Sequence, residues 1–159
     1  MLFRSQARQG NWSRYVYTHE NPYRVDAFGE IQDNLGDPQY WKLLGQLWVG
    51  SENIWQNLDD WKELLANETR NLKLRPLMMD RQERRVLKNL AEPIPIYRGC
   101  REHNREGLSW TLDYDQAEWF AKRFSPKGSV EEREITKDQA IAYFSREREI
   151  VIDPSVFDR

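Results

Sequence analysis

Three short segments in the second half of the chain contain the residue types best suited to chemistry. Segments 96–99 and 108–111 are short apolar runs with one or two polar residues set into them, and segment 146–152 joins four charged residues to three apolar ones. Such a run is typical of a buried strand that presents a side chain to a cleft. Three strands that share one cleft would bring together a cation, Arg98, a hydroxyl, Ser109, and a carboxylate pair, Glu147 and Glu149.

The carboxylate pair suits a reaction that develops positive charge. Residues two apart on a strand point to the same side, so Glu147 and Glu149 would both face the cleft if the extended segment begins by Glu147. Two adjacent carboxylates repel each other, and a developing cation would offset that cost. The oxocarbenium-like state of a sugar that loses its leaving group is such a cation.

The other polar residues suit a phosphorylated sugar. The guanidinium fork of Arg98 matches a diphosphate, and Gly99 leaves room for a ligand to approach the backbone. The hydroxyls of Ser109 and Thr111 can tie the arginine and a glutamate together or bond a ribose. Taken singly, each residue has an ordinary interpretation: Arg98 as half of a structural ion pair, Ser109 as a strand residue, and segment 146–149 as a solvated strand edge with cross-strand ion pairs.

In this order the motifs resemble the mono-ADP-ribosyltransferases of the arginine, serine, glutamate type, which include cholera toxin and the clostridial exoenzymes. Tyr-Arg-Gly at 97–99, Ser-x-Thr at 109–111 and Glu-x-Glu at 147–149 follow the pattern of that family. Phe-Ala-Lys-Arg at 120–123 is similar to the Phe-Ala-x-Arg that ends a helix in those enzymes. The likeness covers about residues 97–154, and Trp110 stands where the better-known members have a threonine.

The resemblance implies that NAD is the substrate. Arg98 would hold the NAD diphosphate and the nicotinamide ribose, Ser109 would orient Glu149, and Glu149 would stabilise the cation as nicotinamide leaves. Glu147 would face the acceptor, for which the resemblance favours an arginine of a protein. The cofactor-binding set is completed by Gly99, Thr111, Phe120 and Arg123.

Two other kinds of function remain open on the sequence. The same cleft could hydrolyse NAD or transfer ADP-ribose to a nucleic acid or a small molecule. Alternatively, the protein could be a non-catalytic binding protein or inhibitor that presents its Trp-rich helices and one basic helix face to a partner. That basic face comprises Arg81, Arg84, Arg85 and Lys88, and its simpler interpretation is a solvated surface.

Composition narrows the class of protein. A length of 159 residues predicts one domain, and a net charge of −2 gives no general field that would hold nucleic acid or an acidic membrane surface. Cys100 with His103 is only half a metal site, and His19 adds one further ligand, so no metal is expected. Without an apolar signal core or a membrane span, the protein is expected to act in a cytoplasm, either of the producing cell or of a host.

The predicted elements place the motifs in an α+β fold of the ADP-ribosyltransferase type, with N-terminal helices packed on a split mixed or antiparallel β-core. We expect an irregular arm over 1–34 with at most one short strand, a helical part over 35–92 and a β-rich NAD-binding part over 93–159. Predicted helices cover 37–50, 51–66 as one helix or two, and about 81–90 after an Asp80–Glu83 capping box.

The β-rich part contains one further predicted helix, which Asp113 caps. Its expected buried face comprises Ala117, Phe120, Ala121 and Phe124. Beyond it, we expect a charged edge strand over 130–135, a short turn of helix over 137–142 and a last strand over 148–153.

Overall fold

The structure is a computed structural model that describes residues 11–52, 54–100, 107–123 and 126–158. The chain divides into two compact units, Met1–Met78 and Met79–Arg159. Helices make up the regular structure of the first unit, and an antiparallel sheet dominates the second, so the predicted α+β class is confirmed. No helix in the described part of the chain is long and apolar enough to cross a membrane.

Over residues 11–52 and 54–78 the first unit contains four α-helices, with 3-10 turns between them and after the last one. The helices are α1 (Trp12–Tyr17), α2 (Arg24–Ile31), α3 (Asp37–Gly50) and α4 (Leu58–Leu65). The 3-10 turns are Asn21–Tyr23, Gln32–Asn34, Ile54–Asn57 and Leu72–Met78. The prediction for 51–66 therefore resolves into a 3-10 turn followed by α4.

The predicted irregular arm is wrong over residues 12–31, which are largely helical, whereas residues 1–10 lie outside the described residues. Helices as short as α1 and α2 are marginal in isolation and depend on tertiary packing, so local sequence gives them little signal. The packing that α2 depends on includes Phe28, which is fully buried with its ring 5.1 Å from that of Tyr40 on α3.

Helix α3 forms where the sequence predicts it. Asp37 and Pro38 lie in its first turn, Gly36 is the N-cap residue, and the helix ends at Gly50. One face of the helix is buried, at Trp41, Leu44, Leu47 and Trp48. This agreement reflects local signals, namely a helix start, a 3.6-residue period and a terminating glycine.

In the part of the second unit that the structure describes, the chain forms a five-stranded antiparallel sheet. Its strands are β1 (Ile94–Cys100), β2 (Ser109–Thr111), β3 (Ser129–Ile135), β4 (Ala140–Phe144) and β5 (Glu149–Ile152). The strand order is β3-β1-β2-β5-β4. The three strands that carry the motifs are therefore neighbours, and β3 lies at an edge as predicted.

Strand β4 was not predicted. The sequence predicted a turn of helix over 137–142, but only Lys137–Gln139 forms a 3-10 turn, after which the chain is extended. A capping box between Thr136 and Gln139 closes the turn. This capping box is a local signal for a helix start, and the prediction continued the helix three residues too far.

The described residues of the second unit also form the helices α5 (Arg81–Asn89) and α6 (Tyr114–Arg123). The Asp80–Glu83 capping box of α5 is confirmed, and α5 packs on β4. The Asp113 carboxylate caps α6 by accepting from the backbone N–H of Asp115 at 3.0 Å. The predicted buried face of α6 is confirmed only in part.

In α6, Ala117 and Ala121 are buried as predicted, whereas Phe120 is 37% exposed. The backbone of α6 approaches the sheet closely at these two alanines, where the Ala117 carbonyl and the Ala121 nitrogen lie against Gly99 of β1. Phe124, the fourth predicted member of this face, lies outside the described residues.

Candidate active site

Ser109 connects the two charged residues that the sequence singled out. Its side-chain hydroxyl hydrogen-bonds the Glu149 carboxylate, and its backbone carbonyl accepts from Nη1 of Arg98 at 2.7 Å. One residue at the start of β2 therefore joins a guanidinium from β1 to a carboxylate from β5. Arg98 and Glu149 thus both contact Ser109, one at its carbonyl and the other at its hydroxyl.

The ladder between β2 and β5 explains why the Ser109 carbonyl reaches Arg98. Ile152 N–H donates to the Leu108 carbonyl and Leu112 N–H to the Arg148 carbonyl, both at 2.9 Å. Backbone groups alternate in direction along a strand, so those of Ser109 point away from β5 and towards β1. The carbonyl that points towards β1 accepts from the Arg98 side chain.

The register shows how the guanidinium reaches this position. Tyr97 pairs with Thr111, and Thr111 pairs with Glu149, so these three side chains begin on the same face of the sheet. Arg98, one residue further along β1, begins on the other face. In the described part of the chain the β1–β2 pairing stops at Tyr97–Thr111, and the Arg98 side chain turns in to the Ser109 carbonyl, in the plane of the sheet.

The surroundings of Arg98 are tight. Partial burial lowers the pKa of its guanidinium, although the group stays charged at neutral pH because arginine loses its proton only far above that range. A methyl group added at Gly107 would overlap the guanidinium carbon and nitrogens. Gly107 is therefore part of the Arg98 site.

Close packing against α6 requires a glycine at position 99, which the sequence did not indicate. A side chain there would overlap the Ala117 carbonyl and the Ala121 backbone nitrogen, and would lie 3.0 Å from Cβ of Phe120. Gly99 thus allows α6 to lie against β1, and it places Phe120 next to the Arg98 strand. The expected approach of a ligand to the Gly99 backbone stays a prediction.

The expected placement of Glu147 is wrong. It lies in a 3-10 turn (Ser145–Glu147), and extension begins only at Glu149, so the two glutamates do not lie on one strand face. Arg148, between them, adopts the left-handed conformation with φ 49°. The Glu147 side chain is exposed, whereas Glu149 is half-buried.

The position of this turn is set by residues distant in sequence. The Thr111 hydroxyl donates to the Glu147 carbonyl at 3.0 Å and accepts from Asp113 N–H at 3.0 Å. On the other side, Oε2 of Glu83 accepts from Ser145 N–H at 2.8 Å. Thr111, predicted to bind cofactor, thus has structural partners, and Glu83 was recognised only as a capping residue.

Helix α6 places Arg123 on its outer face. The Arg123 guanidinium lies 5.0 Å from the centre of the Trp119 ring, and Trp119 is 55% exposed. Both residues line an open depression of about 430 Å³ together with Asp115, Glu118 and Lys122. This depression is lined by α6 side chains, and Arg98, Ser109 and Glu149 are not among its lining residues.

The Trp110 side chain, where the resembling family has a threonine, faces the core. It is 2% exposed, its Nε1–H donates to the Gly107 carbonyl at 2.8 Å, and its ring packs against Phe157. By alternation it points away from the face that holds Ser109 and Thr111. The large ring therefore does not enter the space beside Glu149.

Cys100 is buried, and its thiol donates to the Ser129 carbonyl at 3.5 Å. His103, which the sequence paired with Cys100 as half a metal site, lies outside the described residues. Among the residues that are described, no three His, Cys, Asp or Glu side chains are grouped so that they could hold a metal ion.

The arrangement offers a fixed cation, a hydroxyl and an oriented carboxylate in one place, next to an exposed glutamate on a turn. These groups can bind a phosphorylated sugar and stabilise positive charge on it. Comparison with the models of protein families, with curated proteins and with solved structures finds no match for this chain.

Proposed function

We propose that this protein is an NAD-dependent mono-ADP-ribosyltransferase, which transfers ADP-ribose to an acceptor and releases nicotinamide. The observation that carries the proposal is the double role of Ser109, whose carbonyl accepts from Arg98 and whose hydroxyl bonds Glu149. The three residues come from adjacent strands in the order in which the resembling family uses an arginine, a serine and a glutamate. The same likeness supports an ADP-ribosyltransferase type of β-core.

In the proposed reaction the bond between C1′ of the ribose and the ring nitrogen of nicotinamide breaks, and its electron pair leaves with nicotinamide. Glu149 stabilises the cation that forms on the ribose, because a preoriented carboxylate interacts more strongly with the charged transition state than with NAD. Arg98 supplies the positive charge for the NAD diphosphate. Phe120, beside Gly99, borders the nicotinamide position.

The acceptor step uses Glu147. A nitrogen of the acceptor guanidinium bonds to C1′ and loses one proton, which the Glu147 carboxylate accepts. Its exposed position on the turn before β5 supports contact with a large acceptor such as a protein arginine. In this proposal the protein contributes placement and electrostatics, and the labile bond is that of NAD.

Nicotinamide release from NAD by the purified protein tests the proposal. We expect Glu149→Gln to lower the rate by a factor of about 10² or more, as for loss of a group that acts on transition-state charge. Glu134→Gln is the matched control, because Glu134 is an exposed glutamate on edge strand β3. Full release by Glu149→Gln, or none by the wild type, would contradict the proposal.

Radiolabelled NAD with a cell lysate as acceptor separates transfer from hydrolysis. Label on protein supports the transferase, and free ADP-ribose with no labelled protein favours the alternative of an NAD glycohydrolase. Labelled nucleic acid or a labelled small molecule would instead identify another acceptor for the same chemistry.

A second candidate, a non-catalytic binding protein, is favoured by one observation. On α5 the side chains of Arg81, Arg85 and Lys88 are exposed, which suits an acidic partner. Glu149→Ala distinguishes the two candidates in a cell-based assay. Biological activity that survives this substitution in full would favour binding over catalysis.

A further inference from the structure

The turn that carries Glu147 is held by hydrogen bonds at both of its ends. At its start, Oε2 of Glu83 accepts from Ser145 N–H at 2.8 Å. At its end, the Thr111 hydroxyl donates to the Glu147 carbonyl at 3.0 Å. Arg148 N–H also donates to the Ser145 carbonyl at 3.3 Å, which closes the turn on itself. A four-residue segment held in this way has little freedom to move.

The two glutamates are held by different parts of the protein. Glu149 belongs to β5, where it pairs with Thr111 on one side and Phe144 on the other, and Ser109 bonds its carboxylate. Glu147 lies outside the ladder, so its position depends on the bonds that hold the turn. Loosening the turn should therefore displace Glu147 much more than Glu149.

Glu83 uses both carboxylate oxygens, each for a different purpose. Oε1 accepts from Asp80 N–H at 3.0 Å and completes the capping box of α5, while Oε2 accepts from the turn. An ionised carboxylate only accepts hydrogen bonds and can serve two N–H donors with its two oxygens. A glutamine has one such oxygen, and its NH₂ group would face an N–H donor without bonding it.

We propose that Glu83 is a positioning residue for the acceptor step: it fixes the turn so that Glu147 meets the acceptor nitrogen, while the release of nicotinamide depends on Glu149. The inference rests on the proposed function and adds a residue that the motifs do not contain. It also assigns the first turn of α5 a role in whether ADP-ribose passes to an acceptor or to water.

Glu83→Gln tests the inference, because glutamine at this position preserves the capping box and loses the bond to Ser145. The probe acceptor is agmatine, a small guanidine, and two rates are measured in each sample: nicotinamide released and agmatine labelled. Their ratio does not depend on the fraction of protein that is folded. We expect labelling per nicotinamide released to fall by about tenfold, the effect of losing one hydrogen bond to a charged group.

Asp80→Ala is the matched control. It removes the side-chain bond at 2.8 Å that Asp80 accepts from Glu83 N–H at the same helix terminus, and it leaves the Glu83 side chain in place. We expect this variant to lower the melting temperature and to preserve the ratio of labelling to release. A loss of ratio in Asp80→Ala equal to that in Glu83→Gln would mean that general weakening of α5 is responsible, and would overturn the inference.

The failure of this inference is distinguishable from the failure of the proposed function. If the wild-type protein releases no nicotinamide, both the proposed function and the role of Glu83 are wrong. Nicotinamide release with an unchanged ratio in Glu83→Gln overturns only the role of Glu83. Release by the wild type with no agmatine labelled also overturns that role, since no guanidine acceptor step would then exist for the turn to serve.

Discussion

At the scale of single residues, Ser109 makes one contact through its backbone and another through its side chain. Its bond to Arg98 uses the carbonyl and survives any substitution that keeps the strand, whereas its bond to Glu149 needs a hydroxyl. The sequence predicted that Ser109 would orient the glutamate. The contact between Arg98 and the Ser109 carbonyl could not be predicted from the sequence, because it follows from the direction of a backbone group in the β2–β5 ladder.

If the proposed function is right, Gly107→Ala should weaken NAD binding more than it weakens the fold. The added methyl group would overlap the guanidinium of Arg98, which is the far end of a flexible side chain and can move aside. Displacing it would break the contact with the Ser109 carbonyl and raise the KM for NAD by about tenfold, the cost of one charge-assisted hydrogen bond. Steady-state nicotinamide release measures this.

The control for this substitution is Gly29→Ala on α2, where an added methyl group meets no atom within 4 Å. Gly107→Ala would contradict the account if it left KM unchanged. It would also do so if its main effect were a loss of thermal stability equal to that of a buried core substitution.

At the scale of elements, the sequence predicted what local signals encode. Helices α3, α5 and α6 start at short-range capping or Pro signals, and all three were found close to their predicted bounds. Strand β4 and the turn before β5 were not predicted. The turn is fixed by Thr111 and Glu83, which lie 36 and 62 residues from their hydrogen-bond partners. Contacts of that range leave no periodic pattern near the residues they position.

Helix α3 gives a prediction for stability and its pH dependence. The Tyr40 hydroxyl is buried and donates to the Leu64 carbonyl at 2.7 Å. Burial raises the pKa of Tyr40 above its ordinary value of 10.0, despite opposing contributions from Asn67 and Arg70. Because the folded pKa is raised, the stabilisation is fully present below about pH 10 and is lost as the pH rises through the folded pKa.

Tyr40→Phe should therefore lower the free energy of unfolding by about 1 kcal/mol at neutral pH, since the Leu64 carbonyl loses its donor. Above about pH 10 the difference from the wild type should shrink, because the variant has no Tyr40 proton to lose. Urea unfolding at about pH 8 and about pH 10.5 measures both effects. Tyr23→Phe, at a 58% exposed tyrosine, is the control, and an unchanged difference across the two pH values would contradict the prediction.

At the scale of the whole molecule, the boundary between the compact units falls at Met78 and Met79, so α5 belongs with the sheet. The sequence had grouped that helix with the helical part, over 35–92. Its contacts explain the difference: α5 packs on β4, the Lys137 side chain donates to the Lys88 carbonyl at 2.6 Å, and Glu83 bonds Ser145. Arg98, Ser109, Glu147 and Glu149 all lie in the second unit.

A fragment that begins at Met79 should consequently fold by itself. We expect a cooperative urea transition and a dispersed amide NMR spectrum, because the strand ladder and the bonds that hold the turn are all internal to this unit. A fragment that begins after α5, at residue 91, is the matched control and should be much less stable. Absence of a cooperative transition in the longer fragment would contradict the prediction.

The two outer strands of the sheet are protected in different ways. Strand β3 places Glu132 and Glu134 on an exposed edge, and β4 is accompanied by α5. Bare strand edges recruit other chains, and charge or a covering helix suppresses that pairing. A variant without α5, or with an apolar β3, would accordingly be prone to polymerise edge to edge, so the basic helix also helps to keep the protein dispersed at high concentration.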